Sequence, residues 1–214
     1  MCNDEPTPDG LLRSDSLLSP AWRMMLLSDG SVTRHLKLLT GRADVKTDVL
    51  WQGKIDLDHR GAREIGVPDD VHKRLLAASS GTLLQREVDL CDAHGDPLCY
   101  AASWWNTNTS DTIVLDTDAD NAYGALDRPV WLKLAEDKTE LFREVRRVYR
   151  GQSERLSSAW GLPTDTYFWG RHYIFWLARK PLCVIHEVMS PALETYLGPA
   201  APAPRARRAR SRRT

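Results

Sequence analysis

The stretch from Gly81 to Trp105, "GTLLQREVDLCDAHGDPLCYAASWW", constrains this chain more than any other, because two alternating runs flank a short polar turn. Successive residues of a strand point to opposite sides, and "AHGDP" supplies turn residues, so the segment reads as a β-hairpin. In the first run Thr82, Leu84, Arg86, Val88 and Leu90 share one face, while Leu83, Gln85, Glu87 and Asp89 share the other. The second face reads as solvated and the first as core. That puts a guanidinium in the middle of an apolar row. It cannot shed its proton, and burying it alone is very costly, so Arg86 either snorkels to the surface or awaits an anion.

Other segments extend the pattern. "AWRMMLLSDGSVTRHLKLLTGR" reads as an apolar segment, a turn at Asp29-Gly30, and a short helix carrying Val32, Leu36 and Leu39 with Gly41 as its C-cap. "DVLWQGKIDL", "RHYIFWLA" and "PLCVIHEVMS" read as strands, the last two joined at "RKP". "PDDVHKRLLAASSG" reads as a helix between Asp and Gly, and residues 106–130 as a long loop or flap around a short helix. In "KTELFREVRRVYRG", Leu141, Phe142, Val145, Val148 and Tyr149 fall on one stripe, which predicts an amphipathic helix. Hairpins without βαβ alternation favour an α+β fold on an antiparallel sheet. Residues 1–18 form a polar lead-in, 19–198 a single domain, and 199–214 a disordered Arg-rich tail.

Composition narrows the function classes. The four cysteines, at 2, 91, 99 and 183, form no CxxC pair and read as reduced thiols. No apolar run approaches a membrane span, and the acidic N-terminus has no h-region, which points to the cytoplasm. The tail "RARRARSRRT" holds six arginines, so a formal charge of zero less six leaves −6 on the rest. Such a tail can attract nucleic acid or anionic membrane non-specifically, but the acidic body argues against a DNA-binding core. "DTDADNAYGALD" mimics a calcium loop, yet Asn121 stands where the sharp turn wants Gly and Asp127 where a bidentate Glu belongs. No HExxH or GxSxG is present.

On the last strand Glu187 shares a face with Cys183, Ile185 and Met189. A buried Arg86–Glu187 salt bridge is one reading; a concave site with a fixed cation and a tunable carboxylate is the other. The turn "SDGSVTRHL" adds a helix start whose free N–H groups suit an anion.

Four blocks in this order, "LLSDGSVTRHL", "LLQREVDLCDAHGDPLCYAAS", "LDRPVWLKL" and "RKPLCVIHEVMSP", resemble the chorismate pyruvate-lyase family and its plastid-type relatives. The resemblance covers roughly residues 20–197. It implies one antiparallel sheet with helices forming flaps over a buried pocket, and cleavage of chorismate to 4-hydroxybenzoate and pyruvate without metal or cofactor. It implies that Arg86 binds the ring carboxylate and Glu187 contacts the ring hydroxyl, with backbone N–H groups at Val32 and Val130 completing the anion site. Pro129-Val130-Trp131 departs from the family's pattern of proline, hydrophobic residue, glycine, which leaves the exact substrate open. The same superfamily fold also serves, without catalysis, as the effector-binding domain of bacterial transcription regulators. Those carry a winged-helix domain upstream, and the lead-in here is expected to be too short for one.

Overall fold

A computed structural model describes residues 18–42, 45–56, 82–106, 141–177 and 179–200. Helices α1 (Pro20–Leu27) and α2 (Val32–Thr40) come first, followed by strands β1 (Lys46–Asp56), β2 (Thr82–Cys91), β3 (Pro97–Asn106) and β4 (Leu141–Gln152). Helix α3 (Glu154–Ala159), strands β5 (Tyr167–Leu177) and β6 (Lys180–Met189), a 3-10 turn (Pro191–Leu193) and helix α4 (Glu194–Leu197) complete it. Local chemistry sets the bounds. Pro20 opens α1, where its missing N–H costs nothing. The Ser31 side chain accepts from Arg34 N–H at the start of α2, and Gly41 ends it in the left-handed region at φ 66°.

The six strands form one sheet in the order β1-β2-β3-β6-β5-β4, and every neighbouring pair is antiparallel. The fold is therefore α+β on an antiparallel sheet, and the expected β2–β3 hairpin is present, with Leu90 opposite Cys99. The expected strands around residues 46–56, 167–177 and 180–189 are likewise formed.

The segment 138–151 corrects the helical expectation, since Leu141–Gln152 is edge strand β4. The reason lies in its register. Val145 faces Tyr173 and Val148 faces Arg171, with a bulge between Val145 and Arg147. One extra residue shifts the alternation, so two inward residues stand three apart and imitate helical spacing. The helix expected over 68–81 and the flap over 106–130 lie almost wholly outside the described residues, as do the calcium-like loop and the tail.

A second correction concerns the face of β2 expected to be solvated. Leu83, Gln85 and Asp89 are buried there, and Leu83 joins a cluster with Tyr100, Trp104, Phe168, Val188 and Leu156 of α3, against which Trp160 packs. The polar members find partners. Gln85 donates to Glu87 at 2.8 Å and Trp160 Nε1 to Asp89 at 3.1 Å. The other face packs Trp22 and Leu26 of α1 and Leu36 of α2 against Leu90, Cys99, Val148 and Met189. Farther along that same face, Leu84, Trp105, Tyr173 and Phe175 form a separate cluster. The candidate site lies between the two.

Candidate functional site

Between these clusters the sheet leaves a cavity of about 90 Å³. Arg86 and Val88 line it from β2, Ser103 and Trp105 from β3, Ile185 and Glu187 from β6, Tyr173 and Phe175 from β5, and Arg143 from β4. Ser31, Val32 and Thr33 close one wall with the first turn of α2. The amides of that turn lack partners within the helix, and the helix dipole favours negative charge there. Arg86, Glu187 and Val32 thus meet at one cavity, whereas Val130 lies outside the described residues.

Register sets the spacing of the two charged groups. Arg86 pairs with Ser103, which pairs with Ile185; Glu187 lies two residues farther along β6. Two strands across and two residues along separate the Cα atoms by roughly 12 Å. Both side chains line the same cavity from the same face of the sheet.

Glu187 draws its counter-ion from elsewhere. Arg171 Nε donates to Glu187 Oε2 at 2.7 Å and Tyr173 Oη to Oε1 at 2.7 Å. This corrects the reading in which Arg86 neutralises Glu187. Arg171 also donates from Nη1 to the carbonyls of Met25, Leu26 and Ser28. It thereby caps the C-terminus of α1, where a cation is favoured. Each carboxylate oxygen keeps a second lone pair, so Glu187 can still accept from a ligand hydroxyl. Burial, with the Glu187 carboxylate beside it, pushes the Tyr173 hydroxyl well up, so it stays a donor. Burial and the Arg171 cation push His35 of α2 down.

Arg171, Tyr173 and Arg143 were missed by reading the sequence. The signal for Arg171 was available, because Trp169, Arg171, Tyr173 and Phe175 alternate as the Arg86 row does. Arg143 was hidden by the helical reading of its strand. Among the described residues no group of three or more His, Cys, Asp or Glu could hold a metal ion, and no helix is long and apolar enough to cross a membrane. Cys91, Cys99 and Cys183 are buried free thiols, and burial with nearby Asp89 pushes Cys91 up to about 11.

Residues 26–197 match the family described as Chorismate pyruvate-lyase Rv2949c-like. Among curated relatives, the uncharacterized protein ycf21 of Cyanophora paradoxa is 27% identical over 179 residues, spanning 84% of this chain and 81% of the relative. Its counterpart in Pyropia yezoensis is 25% identical over 183 residues, spanning 86% and 88%. Among solved structures, the effector domain of PhnF from Mycobacterium smegmatis superposes with a TM-score of 0.55 at 12% identity, over 78% of this chain and 93% of that one. Gene product SA0254 of Staphylococcus aureus gives 0.50 at 15% identity, over 68% and 83%. At such identities these structures speak for the fold alone, which is the chorismate lyase-like one.

Proposed function

The chain belongs to the Rv2949c-like chorismate pyruvate-lyase family, and on that premise we propose that it cleaves chorismate to 4-hydroxybenzoate and pyruvate without a cofactor. The observation that carries the reading is the convergence of Arg86, Glu187 and the first turn of α2 on one cavity. Arg86 offers a planar fork that suits a ring carboxylate. The amides of Val32 and Thr33 share that charge. Glu187 accepts from the C4 hydroxyl, its position fixed by Arg171 and Tyr173.

In the reaction the C3–O ether bond breaks and C4 gives up its hydrogen as a proton. The departing enolpyruvate takes up one proton and becomes pyruvate, so no oxidant or co-reactant is needed. Aromatisation drives the step. The protein's task is to hold the conformer and keep water out. Glu187 is the group placed to handle the proton near C4.

A second reading has its own support in the likeness to the PhnF effector domain. Under it the same cavity binds an aromatic acid without turning it over, since a fold does not fix a function. Incubation with chorismate in excess chelator separates the two. The lyase reading expects pyruvate and 4-hydroxybenzoate in equal amounts, whereas binding of 4-hydroxybenzoate with no pyruvate released sinks it in favour of the binding module.

A further inference from the structure

We propose that Arg143 anchors a second carboxylate, so that the cavity selects a dicarboxylate over a monocarboxylate with the same ring. The inference rests on the lyase reading for the identity of the natural ligand, but its geometry stands apart from turnover. Arg143 pairs with Phe175 on the far side of the sheet from Arg86, with β3, β6 and β5 between them. Four strand spacings put the two Cα atoms about 20 Å apart, and both side chains reach into the same cavity. Its two ends are therefore cationic, and between them Ile185 and Tyr173 line it beside the Glu187 carboxylate, which Arg171 neutralises.

The Arg143 guanidinium is held in place before any ligand arrives. It lies 4.4 Å from the Phe175 ring centroid and 5.0 Å from that of Tyr173. One Nη donates to the carbonyl of Asp29. Such stacking fixes the plane of the fork and leaves its edge for hydrogen bonding. The Nε atom is buried and makes no hydrogen bond among the described residues. A buried N–H without an acceptor is costly, and a carboxylate removes that cost.

Among the described residues no acid pairs with it. Glu187 is engaged by Arg171, and the neighbouring Glu144 pairs with Arg146 at 2.6 Å and accepts from Trp176. Chorismate carries a carboxylate on its ring and another on the enolpyruvyl ether. Arg143 would hold the departing fragment while Arg86 holds the part that stays. It acts as an anchor of the leaving group.

The test compares 3-(carboxymethoxy)benzoate with 3-methoxybenzoate, which share a ring and an ether but differ by one carboxylate. Wild-type protein should bind the dicarboxylate at least about tenfold more tightly, the effect of one charge-assisted contact. Arg143→Met should erase that preference while leaving 3-methoxybenzoate affinity within about threefold, and Arg143→Lys should restore part of it. Equal wild-type affinity for the two acids, or no binding of either, overturns the proposal without needing any variant to fold. An equal loss of both ligands in a folded Arg143→Met protein also overturns it. Preference for the dicarboxylate without pyruvate release from chorismate would remove the lyase reading and leave the Arg143 subsite standing.

Discussion

Two ion pairs on opposite faces of the sheet have nearly the same geometry and opposite surroundings. Arg171 and Glu187 meet at 2.7 Å with side chains 0% and 1% exposed. Arg155 and Glu87 meet at 2.8 Å, but their side chains are 63% and 14% exposed. Distance does not rank them. In the dry pair each charge depends on the other, because water cannot replace a lost partner. In the wet pair Arg155 can turn to solvent, and Tyr100 and Gln85 still donate to Glu87. Burial opposes ionisation of Glu87, yet hydrogen bonds from Tyr100 and Arg155 outweigh it and hold the carboxyl below its ordinary range. A close contact on the surface and one in the core are thus different objects.

The sharpest way to break this contrast is Arg171→Met. It strands Glu187 and frees the carbonyls of Met25, Leu26 and Ser28, so denaturant unfolding should show a loss of about 3–5 kcal/mol. A loss below about 1 kcal/mol would remove the distinction between the pairs. The double variant Arg171→Met/Glu187→Leu should recover much of the deficit, since no buried charge is left unpaired. Arg86→Met probes the third arginine. Because Glu187 has its own cation, the fold should stand, while 4-hydroxybenzoate binding by calorimetry should weaken by about 2–4 kcal/mol. Equal damage to fold and binding would make Arg86 a structural residue instead.

A smaller effect follows from the face that carries the wet pair. Burial and neighbouring His172 push His186 down to about 4. Its ordinary value is 6.5, so on acidification the unfolded chain takes up a proton before the folded one does. Stability from this residue is therefore full above about pH 6.5 and declines as pH falls toward about 4. His186→Gln should flatten that part of the stability–pH curve, and an unchanged slope would place its origin elsewhere. Arg155→Ala should be the mildest change, at no more than about 1 kcal/mol and diminishing with salt.

Legibility from sequence followed the range of the forces involved. Ser31 and Gly41 act on their own helix, so the bounds of α2 were readable. The β2–β3 hairpin was too, because its turn and alternation are local. The bulge in β4 was not readable, since only pairing with β5 reveals which residue is extra. Burial of Gln85 and Asp89 escaped notice because the covering residues, Leu156 and Trp160, lie some 70 positions away. Arg86 and Glu187 stood out as charges in apolar rows. The partner of Glu187 did not, because strand order decides which row lies alongside.

That strand order has a kinetic consequence. The sheet consists of two three-strand meanders, β1-β2-β3 and β4-β5-β6, each assembled from neighbours in the chain. Among the described residues their strands pair only along β3 and β6, where Cys99 pairs with Met189. Closing so long a loop carries the greatest entropic cost of any pairing here, so the join is expected to come late in folding. Arg86 belongs to one meander, and Glu187, Arg171 and Arg143 to the other. Either half alone would hold its charges without the cavity that makes them useful, so ligand binding should appear only with the slowest phase of refolding.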